Sequence, residues 1–388
     1  AVRASARRLQ HRRRVVTGVV AAAVTSIALP TGVAVTGALD DNGNGDGPGY
    51  AASPTAEPTP QPTPEATQRP ADQPAGEVLL TLDGIPRGAD PAIDYLNGDQ
   101  LVLADGRVVQ LEKEYQEIAP VEDGWVGLAN DEGDLTRELI DSDGNVTDRV
   151  PSSWGLATNI DGSQVAFVQV ENGEWRIFDV TVDGMEPRTT SNPSNQPQHP
   201  VGYVGDGALV YNTGEQQTEV RVFERSAEDY ELPAKPRFIN ASGTSEAAGL
   251  VAGMTESRID GSCSAVVSYQ TGAPSFETCD HLLGQFSPDG RYVIGTPAYA
   301  DGLGPRSLAI LDADTGEVVV SFDPPRDSMI YLGDPVWEDD EHVVTTATDG
   351  LDSYIVRFGV DGSMESASAK LAVEEYGMPS PVHFAARP

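Results

Sequence analysis

Cysteine is almost absent from this chain, with two residues in 388, Cys263 and Cys279. That excludes a disulfide-built scaffold and a thiolate zinc centre. Histidine is as sparse: His11, His199, His281, His342 and His383 lie far apart, so sequence proximity assembles no imidazole ligand set. Basic residues are outnumbered, 25 Lys and Arg against 60 Asp and Glu, for a net charge of -35. The first 39 residues hold six Arg and no acid, leaving the remainder with 19 basic against 60 acidic residues, a net of -41. A surface of that sign repels nucleic acid and anionic headgroups, which removes both as partners. Catalytic signatures are missing too. There is no Gly-x-Ser-x-Gly elbow, no His-Glu-x-x-His, no P-loop, no Gly-x-Gly-x-x-Gly and no sialidase-type Asp box. No catalytic, cofactor-binding or metal-binding residue is therefore assigned, and no enzymatic activity is expected. With 60 carboxylates, a pair at glycosidase separation arises by chance and has no diagnostic value.

What the chain does have is repetition. Asn97-Gly98, Asp123-Gly124, Asp161-Gly162, Asp206-Gly207, Ser242-Gly243, Asp289-Gly290 and Asp339-Asp340 each precede a short apolar run. These seven markers recur at roughly 40-residue spacing, the period of four-stranded propeller blades. The interval from Asn97 to Asp123 is conspicuously short. The runs are too short for typical helices and are bounded by Gly, Asp and Asn, so they read as strands. Asp-Gly and Asn-Gly supply the positive φ of tight hairpins. Further hairpins are expected at Asp143-Gly144-Asn145, Asp183-Gly184, Asp314-Thr-Gly316 and Asp361-Gly362. One blade cannot bury both faces of its sheet, so neighbours must stack and the ring must close. The reading is an all-β, seven-bladed β-propeller over residues 78–388, with six or eight blades, or two stacked sandwiches, as the alternatives. Val78–Leu82 and Val382–Phe384 are expected to meet in one blade and latch the ring.

Cys263 and Cys279, sixteen positions apart in one predicted blade, are expected to form a local disulfide outside the cytoplasm. The turn Asp141-Ser-Asp-Gly-Asn-Val-Thr-Asp148 offers oxygens to a hard cation but reads as a hairpin. Of Trp125, Trp154, Trp175 and Trp337, most are expected to pack between blades; one exposed at the ring mouth would be a ligand contact.

At Phe286-Ser-Pro-Asp-Gly-Arg-Tyr-Val293 the chain resembles the TolB-type, WD-repeat-like propeller signature, with a weaker copy at Asn159-Ile-Asp-Gly-Ser-Gln-Val-Ala-Phe167. No blade carries the Trp-Asp dipeptide of true WD repeats. The resemblance implies an extracytoplasmic propeller that binds rather than catalyses.

Residues 1–14 form an Arg-rich stub, expected to be cytoplasmic. The uncharged run 15–39 is long enough, at ~1.5 Å per residue, to cross a ~30 Å hydrocarbon layer as a single transmembrane helix. Arg before it and acids after it set the amino terminus inside. It exceeds the apolar core of a cleaved signal, which favours a retained anchor. Residues 40–77 read as a disordered Gly/Pro/Thr-rich linker. The order of stub, span, linker and propeller resembles an actinobacterial layout that often accompanies a sigma factor. The expectation is a monomeric, membrane-anchored, extracytoplasmic binding or scaffold module for a protein, peptide or cell-wall component. The alternatives are a lyase, glycosidase or quinoprotein-like enzyme at the channel mouth, and a structural spacer.

Overall fold

The short apolar strands around Asp-Gly turns assemble into seven sheets, the expected blade count rather than six or eight. A computed structural model describes residues 76–385 apart from 122–123, 132–133, 182–186, 190–193, 216–217, 225–228, 300–303, 351 and 372–381. The stub, the apolar run 15–39 and the linker lie outside the described residues, except that Gly76 and Glu77 begin the first strand. The turn expected at Asp183-Gly184 also lies outside them. No helix occurs among the described residues.

Each blade is an antiparallel sheet whose first strand contacts the first strands of its neighbours and so lines the channel. Those inner strands are Glu117–Val121, Ser153–Thr158, Gln198–Val204, Asn240–Ser245 and His281–Phe286 in blades two to six. In blade seven the inner position is shared by Tyr331–Leu332 and Val336–Trp337. Blade one takes its inner strand from the far end of the chain: Val382–Phe384 pairs with Tyr95–Asn97, followed outward by Gln100–Val102 and Val108–Gln110. Asn97-Gly98 is therefore the turn between the second and third strands, not the first and second. One strand of blade one is missing from the local sequence, which accounts for the short first interval.

Two further expectations are corrected. Val78–Leu82 and Val382–Phe384 do not meet. Gly76–Leu79 runs parallel to Val318–Asp323 as a fifth, outer strand of blade six. The chain then crosses the outer edge of blade seven, where Gly88 and Ser366 bond through their backbones, on its way to blade one. Ser242-Gly243 is not a turn but a bulge inside an inner strand, and the turn of blade five comes after Ser245.

The period-2 alternation of the central strands sends successive side chains into the two adjoining blade interfaces. Ala208 and Val210 pack toward blade five, and Leu209 and Tyr211 toward blade three. Seven apolar clusters result, one for each pair of adjacent blades, including Ile93, Val336, Val344, Ile355 and Val382 between blades seven and one. Leu80 and Leu82 of the amino-terminal strap are buried between blades six and seven. Ring closure is thus a continuous apolar seam as well as a strand pairing.

Polar side chains stitch the same seams. Arg357 and Glu338, both buried in blade seven, form an ion pair, with Arg357 Nη2 2.8 Å from Glu338 Oε1. Arg357 Nη2 also donates to the carbonyl of Asp90 at 3.1 Å, and Glu338 accepts from the backbone N–H of Ala92. This pair clamps the strap on its way into blade one. Trp125 Nε1 donates to Asp94 Oδ2 (2.9 Å), tying blade two to the segment leading into blade one, and Trp337 Nε1 donates to the carbonyl of Gln285 (3.1 Å) across blades seven and six. Inner strands approach closely only where side chains vanish. A Cβ on Gly243 would lie 2.2 Å from the carbonyl oxygen of Gly284 in the next blade. Cys263 and Cys279 form the expected disulfide, linking the third strand of blade five to the end of its outer strand. In the chain-entropy picture such a loop contributes about 3 kcal/mol.

Arg357→Leu removes the guanidinium from the buried Glu338 carboxylate and from the Asp90 carbonyl, so urea unfolding of the variant should show a loss of about 3–5 kcal/mol. Gly243→Ala must push two blades apart and should cost about 1–3 kcal/mol in the same measurement. A neutral result for Gly243→Ala would mean that the inner strands do not pack as described.

Candidate functional site

The inner strands begin at one mouth of the channel, and six of the seven blades leave a side chain exposed near that end. These are His383 in blade one, Glu117 in two, Trp154 in three, His199 in four, Ser242 in five and Asp334 in seven. The inner strands of blades three to six each carry a bulge, where extra residues interrupt the pairing with the second strand. At the other end the carboxylate of Glu246 accepts the backbone N–H of Ile160 (2.8 Å), joining the turns of blades five and three.

Blades one, two, six and seven enclose a cavity of about 360 Å³ at the mouth. Ile118, Leu332, Val336, Val382 and Phe384 supply apolar wall, while Glu117, Asp334 and His383 supply ionisable groups. Glu117 is reached by channel water yet surrounded by protein atoms. That burial pushes its carboxyl up to about 7, and the backbone N–H of Leu156 pulls only partly back. Burial holds the imidazoles of His199 and His383 below their ordinary value, with Asp334 opposing the effect at His383. Near neutral pH the mouth therefore presents a carboxyl in exchange between its two forms and two uncharged imidazoles.

Trp154, 37% exposed, is the tryptophan at the mouth, its ring 6.2 Å from that of Trp175. Trp125 and Trp337 are buried between blades. His281 and His342 are not among the side chains lining the mouth cavity. In the Asp141 turn the carboxylate is already engaged, accepting from the backbone N–H groups of Asp143 (3.0 Å) and Asn145 (2.8 Å). Asp148 pairs with Arg137. Among the described residues no group of three or more His, Cys, Asp and Glu side chains is placed to hold a metal ion. The sequence offered no motif for Glu117 or Asp334. Their common signal is position, one exposed polar residue near the start of an inner strand, and it becomes readable only once strand order is known.

The chain resembles solved propellers at low identity. The chain is similar to TolB from Acinetobacter baumannii, with 14% identity over 65% of this chain and 62% of that one, at a TM-score of 0.42. It is similar to the β-propeller domain of the Trilobed protease from Pyrococcus furiosus, with 13% identity over 65% and 84% of the two chains (TM-score 0.47). The Dos1 propeller matches at 10% identity over 74% and 88%, with a TM-score of 0.48. This chain thus spans less than two thirds of the TolB structure. No protein-family model and no curated protein matches the sequence.

The raised carboxyl has a measurable signature. The folded state holds the Glu117 proton more tightly than the unfolded chain, so its contribution to stability is complete below the ordinary value of 4.5. It is lost as pH rises to about 7. Glu117→Gln should flatten the fall in thermal stability across that window. Carboxyl ¹³C shifts should show one glutamate, absent from the variant, titrating near neutrality. A Glu117 resonance moving only in the ordinary acid range would contradict the buried setting.

Proposed function

We propose that this propeller is a noncatalytic binding module whose ligand seat is the channel mouth, displayed outside the cytoplasm on the anchor at 15–39. The observation that carries the reading is the convergence of side chains from separate inner strands on one cavity with apolar walls and an ionisable rim. Sites of that make-up bury an apolar body and orient it through a few polar groups. A protein segment, peptide or cell-wall fragment presenting an apolar group beside a hydrogen-bonding one is the ligand expected. The acidic surface favours a partner of neutral or basic character. The disulfide in blade five supports display in an oxidising compartment. The chain is expected to act as a monomer.

Photo-crosslinking in the intact cell tests the seat. A benzophenone amino acid at Phe384 or Gln116, at the mouth, should give a discrete adduct, and one at Glu277 on the outer strand of blade five should not. Adducts from the outer strand alone would move the binding face away from the channel.

A further inference from the structure

The channel mouth holds negative charge that the protein does not neutralise. Glu117 and Asp334 enter its cavity from blades two and seven, and both are exposed to channel water. Among the described residues neither forms an ion pair, and only the backbone N–H of Leu156 favours the ionised form of Glu117. No Lys or Arg is found among the described residues that line the cavity. The undescribed segments that adjoin this lining, 300–303 and 372–381, contain no Lys or Arg either. Arg306, next in sequence to the lining residue Pro305, is committed elsewhere: its Nη2 donates to the Ser328 carbonyl and its guanidinium lies over the Tyr331 ring. A carboxylate surrounded by protein atoms is costly unless a counter-charge pairs with it, and here the chain supplies none. The groupings that hold a metal ion are absent among the described residues, so an organic cation is the better match.

We infer that the mouth seats one basic side chain, lysine or arginine, of a peptide or protein segment, with its cationic head on Glu117 and Asp334. The inference rests on the channel-mouth reading above and names the group that the seat takes. Both basic heads donate hydrogen bonds and accept none, which suits two carboxylates and the lone pair of the uncharged His383 imidazole. Their methylene stems need an apolar wall, and Pro305, Val336, Val382 and the half-buried Phe384 provide one within a cavity of about 360 Å³. An acidic side chain meets two like charges here, and a neutral alkyl chain leaves both carboxylates without a partner.

Methyl NMR on the full chain at physiological salt tests it, with Val336 and Val382 as reporters. The probes are short Gly/Ala peptides that differ in one side chain: lysine, arginine, acetyl-lysine, norleucine or glutamate. The lysine or the arginine peptide should shift both methyls and bind tenfold or more tightly than the acetyl-lysine and norleucine peptides, about 1.4 kcal/mol. The glutamate peptide should not bind. Glu117→Gln should abolish that preference, and Asp334→Asn, at an exposed position, should weaken the same peptide without touching the fold. Glu277→Gln removes an equal charge from the outer strand of blade five and should change nothing, which separates the seat from general attraction to an acidic surface. Binding needs the ionised Glu117, so affinity should climb as pH rises to about 7 and level off above it, and this climb should vanish in Glu117→Gln. His199 and His383, the other shifted groups at the mouth, titrate below 6.5, and Asp334 completes the charged set there. Equal binding of the norleucine and lysine peptides overturns the inference and leaves the mouth a seat for apolar groups. Basic-peptide binding that survives Glu117→Gln and Asp334→Asn also overturns it, as does the absence of any binding. Shifts that bypass Val336 and Val382 overturn the seat itself.

Discussion

Everything in this molecule depends on one long-range pairing, between Val382–Phe384 and Tyr95–Asn97. A propeller blade exposes apolar surface on both faces, so an open ring leaves two faces wet. Here the first blade is built without an inner strand, and only the end of the chain can supply it. That pairing brings Val382 into the apolar seam between blades seven and one, making the seventh interface equivalent to the other six. It also places His383 at the mouth beside Glu117 and Asp334. Closure and the assembly of the mouth are therefore a single event.

The second constraint is steric. Inner strands crowd around a narrow axis, and close approach requires backbone against backbone. Gly202 and Gly243 meet it by lacking a side chain, since a Cβ at either would lie 2.2 Å from an atom of the neighbouring blade. Bulges sit beside both: Val201 packs into the seam between blades four and five, and the Ser242 hydroxyl donates to the Leu283 carbonyl (2.6 Å). Buried polar pairs then fix the register between blades. Asn212 both donates to and accepts from the backbone of Ala241, at 3.0 and 2.8 Å, and Tyr203 donates to Asp179 at 2.9 Å. Such groups contribute direction more than energy, because each must first be taken out of water.

Much of the architecture was legible in the sequence because hairpin turns are local. Asp161-Gly162, Asp206-Gly207 and Asp289-Gly290 need positive φ wherever they occur, and their spacing counts blades. Non-local features were not legible. Asn97-Gly98 read as an ordinary blade marker because nothing nearby says that its first strand lies almost three hundred residues away. Ser242-Gly243 read as a turn because a glycine needed for close approach between blades looks, in sequence, like a glycine needed for chain reversal. The mouth was legible only in outline. Glu117, Asp334 and His383 come from three blades and share no motif, and Trp154 could be identified only after its exposure was known. Cys263 and Cys279 were readable because their partnership spans a single hairpin.

The strap has a mechanical consequence. Tension entering the chain ahead of Gly76 meets the parallel pairing of Gly76–Leu79 with Val318–Asp323 before it reaches any blade's own strands. Behind that pairing stand the buried Leu80 and Leu82, and then the Arg357 clamp on the carbonyl of Asp90. The closing strand, entering from the opposite terminus, carries none of this load. A pull from the amino-terminal side is thus absorbed by a sacrificial outer strand in shear, while the ring and its mouth keep their shape.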